Sequence, residues 1–217
     1  MSGRLSQWQD ELDAGLAALG LDTANLSARL LAFGELLLKW NQVYNLTAIS
    51  APREIITRHL FDALAIWPQV DALRHLVDAG SGAGLPGLPL ALACPALTVT
   101  SIETVNKKAS FQQQARIELE VKNFHVLNRR IETVRPAELP NSVDGVISRA
   151  FSSLADFVRL AGHLVDENGA LYAMKGMLPT DEIAALPKGW AVTAVQPLTV
   201  PGLNAERHLV VIRRANS

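Results

Sequence analysis

The chain has 217 residues, of which 49% are hydrophobic and 19% are charged, values typical of a globular protein with a substantial apolar core. This length predicts one domain, alone or with an appended subdomain. The formal net charge of −1 excludes a globally basic protein, so any nucleic-acid partner would have to bind a local basic patch.

Residues 1–70 are predicted to form a helical subdomain. Apolar residues at three- and four-residue spacing predict two helices: Leu5, Trp8, Leu12, Leu16 and Leu19, then Leu26, Leu30, Phe33, Leu37, Trp40 and Tyr44. Gly20 can end the first of these helices. For a third helix we expect Ser50 as the N-cap, Pro52 in the first turn and Pro68 at the end. The aromatic residues are interpreted as core residues rather than as ligand-stacking platforms.

From residue 71 to residue 217 the hydrophobic period changes to that of strands alternating with helices. Strands are predicted at Leu76–Asp78, Leu97–Ile102, His125–Leu127, Val143–Ile147, Ala170–Met174, Ala191–Val200 and Leu209–Ile212. Helices are predicted at Asn106–Glu120 and Ser153–Val165. This alternation indicates an α/β domain with a mostly parallel seven-stranded sheet and helices on both faces. Because only a loop separates the last two strands, they are predicted to form an antiparallel hairpin at the sheet edge.

Neither the cysteine content nor the apolar segments indicate secretion or a membrane. Cys94 is the single cysteine and cannot form an internal disulfide. The longest apolar stretch, Leu76–Leu97, is interrupted by an acidic residue, glycines and prolines, so it is unsuited to span a membrane. The N-terminus is amphipathic and acidic, unlike a signal peptide. We therefore expect a cytoplasmic protein that binds no membrane.

The segment Leu76–Pro89, LVDAGSGAGLPGLP, is the strongest functional signal. An apolar strand ends near Asp78, glycines alternate at 80, 82 and 84, and a helical pattern follows Leu85. Glycines are needed where a chain turns sharply and a ligand approaches the backbone closely. A strand, a glycine loop and a helix N-terminus together are typical of nucleotide-like cofactor sites in α/β proteins. The alternative is a tight turn between strand and helix that binds no ligand.

The kind of cofactor follows from the neighbouring carboxylates. No Gly-Lys-Ser/Thr follows the loop, which excludes a phosphate-binding P-loop. Asp78 is expected at the pocket mouth, where it would repel a pyrophosphate and suit a cationic ligand. Glu103 follows the second strand and is placed to bond a ribose diol. The pattern resembles the class I S-adenosylmethionine-dependent methyltransferases, whereas Gly82–Gly87 also matches the dinucleotide pattern of dehydrogenases. A dehydrogenase would usually need a further substrate domain.

Other candidate ligand contacts lie where further strands end, because ligands of such sheets bind at the carboxyl ends of the strands. Thr104 follows Glu103, and Ile131 and Glu132 lie in the turn after the third strand, where Glu132 could face an adenine edge or simply start a surface helix. Arg149 ends the fourth strand. We expect Arg149 to bind the methionine carboxylate or the substrate, or alternatively to pair with Asp144 or Glu103.

Two sequence features are absent, and their absence reduces the number of candidate acceptor atoms for the methyl group. Methyltransferases of exocyclic amino groups resemble one another in an Asp/Asn-Pro-Pro-aromatic segment after the fourth strand, where this chain has Ser148-Arg149-Ala150-Phe151. A cytosine-C5 enzyme needs a nucleophilic thiolate, and Cys94 lies far from that place in the motif order. The remaining acceptors either carry a free lone pair or have an unidentified activator.

Several motifs resemble those of the glucose-inhibited division protein B family. They are Lys39-Trp40-Asn41, Tyr44-Asn45-Leu46-Thr47, Arg58-His59-Leu60 with Asp62, the glycine loop at 78–87, Ser148–Phe151, Met174-Lys175-Gly176 and Glu206–Val211. The resemblance spans residues 39–212 in the family's order. It implies a small-subunit ribosomal RNA methyltransferase that acts on guanine N7. Two departures are Glu103 where aspartate is expected and Ala63 where serine is common.

The resemblance also implies roles for polar residues that local structure could otherwise explain. Asn45, Thr47 and His59 are then assigned to RNA docking or pocket shaping. Without the resemblance, helix capping would be sufficient to explain Asn41, Asn45 and Thr47, and a hydrogen bond to Asp62 would explain His59. Asn41 and Arg149 are expected to position the base or the cofactor, with no residue acting as acid or base. A basic rim for RNA phosphates is expected from Arg53, Arg58, Arg129, Arg130, Lys175, Arg207 and His208. We expect a monomer that binds no metal. The alternative to an enzyme is a catalytically silent scaffold that binds RNA.

Overall fold

A seven-stranded sheet lies at the centre of the computed structural model, which describes residues 4–149, 151 and 153–215. The strands are β1 (His75–Ala79), β2 (Thr98–Ile102), β3 (Phe124–Leu127), β4 (Gly145–Ser148), β5 (Ala170–Lys175), β6 (Trp190–Pro197) and β7 (His208–Arg214). Their order across the sheet is β3-β2-β1-β4-β5-β7-β6. The first five are parallel, whereas β7 is antiparallel to both of its neighbours. This confirms the predicted mostly parallel sheet and its antiparallel C-terminal hairpin.

Nine α-helices among the described residues cover the sheet. They are α1 (Gln9–Ala18), α2 (Leu26–Tyr44), α3 (Pro52–Ile55), α4 (Asp62–Leu64), α5 (Trp67–Val70), α6 (Gly87–Ala93), α7 (Asn106–Glu118), α8 (Leu154–Ala161) and α9 (Thr180–Ala184). A π-helical turn at Ile56–Phe61 joins α3 to α4, and short 3₁₀ turns lie at Ser6–Trp8, Ile131–Thr133 and Pro136–Glu138. No helix among the described residues is long and apolar enough to cross a membrane.

The strands place successive side chains on opposite faces, which divides the interior into two cores. Leu76 and Tyr172 belong to the first core with the N-terminal helices, α6 and α7. Val77 and Leu171, one residue before or after them, belong to the second core with α8. Helices therefore cover both faces, as the strand–helix alternation predicted.

The N-terminal helices pack onto the first core rather than standing apart from it. Helix α2 contacts α6 and α7, where the ring centroids of Phe33 and Phe111 lie 6.1 Å apart. The rings of Trp40 and Phe111 pack edge to face at 5.6 Å. The bounds of α2 are those of the predicted apolar pattern. The helix ends at Asn45, which has a left-handed φ of 49°.

The third predicted helix differs from expectation at both ends. Ala51, not Ser50, occupies the N-cap position, and no side-chain hydrogen bond caps it. Pro68 lies in the first turn of the separate helix α5 instead of ending the preceding one. Proline lacks an N–H, which costs nothing in the first turn of a helix, so this proline marks a start. The helical path between Pro52 and Leu64 is continuous but widens into the π-helical turn.

Candidate functional site

A glycine loop leads from β1 into α6. Gly80, Gly82 and Gly84 have positive φ values of 69°, 59° and 81°, a backbone region that strongly favours glycine. The N–H of Gly80 donates to the carbonyl of Ile102 at 2.9 Å, which attaches the loop to the end of β2. A Cβ built on Gly82 would meet no atom within 4 Å. The loop therefore presents bare backbone to open space, as close approach of a ligand requires.

Asp78 lies beneath this loop and not at the pocket mouth, where we expected it. Its side chain is fully buried, and its Oδ2 accepts a hydrogen bond from the N–H of Gly87 at 2.8 Å. Its Oδ1 has no hydrogen-bond partner among the described residues. Burial raises the pKa of Asp78 to about 7, against the opposing effects of the Gly87 N–H and the Arg149 charge. Asp78 thus holds the start of α6 against β1 and does not line the cavity.

Glu103 binds the loop from the end of β2. Its buried carboxylate accepts hydrogen bonds from the N–H groups of Gly82 and Val105, both at 2.7 Å. The side chain of Asn128 donates to the Glu103 carbonyl at 2.8 Å. The carboxylate therefore stands beside the loop at the end of the second strand, and its bond to a ribose diol stays a prediction.

A buried polar cluster under the loop was missed by the sequence analysis. The side-chain amide of Gln112, on α7, donates to the hydroxyl of Ser81 at 2.8 Å and to the carbonyl of Gly82 at 2.7 Å. The hydroxyl of Ser101 on β2 donates to the Gln112 side-chain oxygen. The available signal was the three-residue spacing of Gln112 from Ala109 and Ala115, which places it on the buried face of α7.

A cavity of about 530 Å³ opens between the glycine loop, the strand ends and the N-terminal helices. Its lining residues are Leu46, Thr47, Ile49, Arg58, His59, Asp62, Gly80, Ser81, Gly82, Ala83, Leu85, Lys108, Arg149, Met174, Lys175, Gly176 and Arg207. Segments far apart in the chain therefore meet at the carboxyl ends of the strands, as the topology predicts. The volume is within the range of small-molecule and cofactor sites.

A carboxylate between two guanidinium groups is the main electrostatic feature of the cavity. Asp62 is 5% exposed. Its Oδ2 lies 3.0 Å from Nη1 of Arg149, and its Oδ1 lies 2.7 Å from Nε of Arg207. Neither of the partners expected for Arg149, Asp144 or Glu103, is the observed one. The alternative of a His59–Asp62 hydrogen bond is also wrong, because both ring nitrogens of His59 contact other groups, the Thr47 hydroxyl and the Arg58 carbonyl.

His59 is buried and bound on both ring nitrogens. Nε2 is 2.9 Å from the hydroxyl of Thr47, and Nδ1 is 3.1 Å from the carbonyl of Arg58. Burial, followed by the nearby Arg149 charge, lowers the pKa of His59 to about 4. The imidazole is therefore neutral at physiological pH, and Thr47 and His59 together form one wall of the cavity.

Asn41 and Asn45 lie at the end of α2 and line a second, smaller cavity of about 370 Å³. The Asn41 side-chain oxygen accepts from the N–H of Thr47 at 2.9 Å, so it shapes the loop that carries Thr47. The observed contact of Asn41 is therefore with the loop after the helix, and its role in positioning the base or the cofactor stays a prediction. Thr47 lines both cavities.

The seven residues expected to form a basic rim do not lie together: three line the large cavity and four lie outside its lining. Arg58, Lys175 and Arg207 line the large cavity, together with Lys108, which the sequence analysis did not single out. Nζ of Lys175 lies 2.8 Å from a carboxylate oxygen of Glu182. The other members lie outside the cavity lining and have local partners: Arg53 with Glu11, Arg129 with Glu138, Arg130 with Glu132, and His208 with the carbonyl of Gly176. One continuous rim of all seven residues is therefore not what the fold produces.

Six candidate cofactor contacts are absent from the lining of this cavity: Asp78, Gly84 and Glu103, which belong to the loop or lie next to it, and Thr104, Ile131 and Glu132. Thr104 is exposed beside Glu103, and Ile131 is buried in the second core. Glu132 is exposed and pairs with Arg130 at 2.7 Å. Ala150 of the fourth-strand motif lies outside the described residues.

The glycine loop and its surroundings fit S-adenosylmethionine. The open space at Gly82 leaves room beside the backbone, the buried Glu103 carboxylate lies next to the loop, and the cavity continues to Arg149. Among the described residues no cluster of His, Cys, Asp and Glu could hold a metal ion. The buried Cys94 is not part of the cavity lining, and burial raises the pKa of its thiol to about 11.

Comparison with solved structures supports the fold. The chain superposes on TrmN from Thermus thermophilus with a TM-score of 0.56 and 18% identity, over 74% of this chain and 53% of that chain. An S-adenosylmethionine-dependent methyltransferase from Aquifex aeolicus gives a TM-score of 0.55 and 17% identity, over 77% and 96% of the two chains. At these identities the similarity establishes the methyltransferase fold alone.

Sequence comparison identifies the family. A protein named ribosomal RNA small subunit methyltransferase G from Azoarcus sp. (strain BH72) is 63% identical over 97% of this chain and 98% of its own length. One of the same name from Aromatoleum aromaticum is 57% identical over 94% and 97%. The sequence model of the GidB family, described as rRNA small subunit methyltransferase G, matches residues 26–210. This chain therefore belongs to the GidB family of small-subunit rRNA methyltransferases.

Proposed function

We propose that this protein transfers a methyl group from S-adenosylmethionine to N7 of a guanine in small-subunit ribosomal RNA. The observation that carries the proposal is the single cavity in which a bare glycine loop faces cationic side chains. The loop suits a nucleoside cofactor, and the cations suit a polyanionic substrate. Family membership and the names of the relatives support the same reaction and the same class of RNA.

The cofactor would be held by residues at the ends of β1, β2, β3 and β4 or after them. These are Asp78, Gly80, Gly82, Gly84, Leu85, Glu103, Thr104, Ile131, Glu132 and Arg149. Asp78 acts from below by fixing the start of α6, whereas Gly82 and Leu85 face the cavity directly. S-adenosylmethionine, when bound, supplies a sulfonium methyl group that a free lone pair can attack without prior activation.

The protein has to align the acceptor rather than deprotonate it. Guanine N7 carries a lone pair and no proton, so the chain needs no general base. Holding two reactants in line can contribute roughly 7–11 kcal/mol. Thr47 and His59 form part of the cavity lining, where they would shield the reacting groups from water once both substrates are bound. His59 stays neutral because its pKa is lowered to about 4, which suits a structural role.

The RNA would contact both the cavity and the outer surface around it. The proposed contacts are Asn45, Thr47, Arg53, Arg58, His59, Arg129, Lys175, Arg207 and His208, with Asn41 shaping the loop before Thr47. Those lining the cavity would hold the target nucleotide, and Arg53 and Arg129 would meet phosphates farther away. We further propose that residues 1–70 form a helical subdomain on the 71–217 methyltransferase domain. The enzyme would act as a cytoplasmic monomer on ribosomal RNA or its particle.

Mapping of 7-methylguanosine in small-subunit RNA from cells lacking this protein tests the proposal. In the deletion strain we expect one guanine position at which the RNA is no longer cleaved by aniline after chemical reduction. A plasmid copy of the gene should restore the cleavage at that position. A Gly82→Val copy should not restore the modification. A Gly20→Val copy is the control, because Gly20 also has a positive φ, of 74°, with no atom within 4 Å of an added Cβ. An unchanged set of methylated guanines in the deletion strain would refute the proposed function.

A further inference from the structure

Asp62 joins three distant parts of the fold inside the cavity. It lies on α4 and binds Arg149, at the end of β4, and Arg207, just before β7. The two arginine side chains are each 23% exposed, so both keep some surface toward the cavity. A buried carboxylate between two guanidinium groups fixes their orientation more firmly than a surface ion pair would.

The two arginines differ in which of their edges remain open. A guanidinium group offers two paired-donor edges, one with Nε and Nη2 and one with Nη1 and Nη2. Arg207 donates from Nε to Asp62 at 2.7 Å and from Nη1 to the Glu206 carbonyl at 2.8 Å, so each of its edges has one atom occupied. Arg149 donates to Asp62 from Nη1 alone among the described residues, so its Nε–Nη2 edge stays open.

This difference matters because of how arginine recognises guanine. The commonest specific contact is bidentate, to O6 and N7 together. Such a contact would cover the lone pair of N7, the atom that has to react. An arginine that can offer only one donor can bind O6 and leave N7 bare. A donor aimed at position 6 also rejects adenine, which carries an amino group there.

We propose that Arg207 donates one hydrogen bond to guanine O6, and that Asp62 acts as a positioning residue that keeps this arginine from chelating N7. The proposal rests on the proposed function and adds the basis of guanine selection. Arg149, with an open paired edge, is suited to a carboxylate or a phosphate instead. Arg207 keeps three N–H groups beyond these two bonds, one on Nη1 and two on Nη2, and the base is assigned to Nη2, the nitrogen that donates to no described residue.

The test uses ligated RNA in which the mapped guanine is replaced by inosine or by 2-aminopurine. Inosine keeps O6, whereas 2-aminopurine lacks it, and both keep N7. For the unaltered protein we expect kcat/KM to be roughly 10–100-fold higher with inosine, the effect of one charged hydrogen bond. Comparing this ratio between protein variants cancels the intrinsic difference in reactivity of the two bases.

Arg207→Met and Arg149→Met form a matched pair of variants. We expect Arg207→Met to bring the inosine preference close to the intrinsic ratio, and Arg149→Met to lower both rates while keeping the preference. A preference lost in Arg149→Met but kept in Arg207→Met would overturn the assignment. So would an unaltered protein with no dependence on O6. If no guanine can be mapped at all, the proposed function fails instead, so the two failures are distinguishable.

Asp62→Asn tests the positioning role. With Nε released, Arg207 can bind O6 and N7 together, so we expect kcat to fall at least tenfold without a rise in KM for RNA. A higher KM with unchanged kcat would contradict the proposal that Asp62 keeps Arg207 from covering N7. Should this variant not fold, the comparison of Arg207→Met with Arg149→Met still decides whether Arg207 reads O6.

Discussion

Replacing Asp78 by asparagine should change how the stability of the protein depends on pH. The carboxyl group is fully buried, and desolvation raises its pKa from 3.8 to about 7. Between these values the folded protein keeps a proton that the unfolded chain has lost. The free energy of unfolding therefore falls as pH rises through this range, and the loss is complete above about pH 7. An asparagine side chain at this position does not titrate, so the Asp78→Asn variant should lack this fall.

The size of the effect follows from the raised pKa. At about 1.4 kcal/mol per pKa unit, a rise from 3.8 to about 7 corresponds to about 4 kcal/mol in total. About 3 kcal/mol of this lies between roughly pH 4.5 and pH 8, a range accessible to equilibrium unfolding. The amide adds a buried donor next to the unpartnered Oδ1 position, which costs stability equally at every pH.

The assay is urea unfolding of the cofactor-free protein and the Asp78→Asn variant at several pH values. The quantity to compare is the difference in free energy of unfolding between the two proteins, because other titrating groups cancel in it. We expect this difference to shift in favour of the variant by about 3 kcal/mol from roughly pH 4.5 to pH 8. A difference that is independent of pH would refute the argument that Asp78 is buried and protonated.

Three further predictions concern ligand binding and catalysis. Gly82→Val should weaken S-adenosylmethionine binding in calorimetry at least tenfold, while the equally strained Gly20→Val should bind normally; equal affinities would exclude the loop as the cofactor site. Arg58→Ala should reduce the salt dependence of RNA binding by roughly 0.7–0.9 in logarithmic slope, whereas Arg74→Ala, at the other end of the sheet, should not; identical slopes would place the phosphate contacts elsewhere. Single-turnover methylation with saturating substrates should show no pH dependence attributable to His59, whose pKa is about 4; a slope lost in His59→Gln would indicate a base.

Hydrophobic periodicity was sufficient to predict most of the fold. The alternation of strands and helices gave the sheet, and the spacing in α2 gave a helix with the observed bounds. The predicted N-cap at Ser50 and the predicted helix end at Pro68 were wrong, because both residue types mark helix boundaries without fixing the position of the boundary. Proline is compatible with the first turn of a helix as well as with the residue after one, and only packing decides between these positions.

The site was predictable where chemistry coincides with a strand end and not where it depends on distant partners. The glycine loop, Glu103 and Arg149 follow directly from the order of strands in the chain. The burial of Asp78 had a signal in the period of two, since Asp78 points to the opposite face from Val77 and Ala79 and therefore toward α6. The partners of Asp62, 87 and 145 residues away, had no local signal at all.

Because of this dependence on distant partners, the N-terminal helices are part of the cavity and do not merely pack against the sheet. The strand ends supply the glycine loop and two guanidinium groups, which would repel each other without a counter-charge. The N-terminal part of the chain supplies that charge through Asp62, and it adds Thr47 and His59 to the cavity lining. In the same way, the ring of Phe111 on α7 is covered by Phe33 and Trp40 of α2. The cavity therefore depends on both parts of the chain, because its lining combines the glycine loop and the strand ends with residues of the segment 46–62.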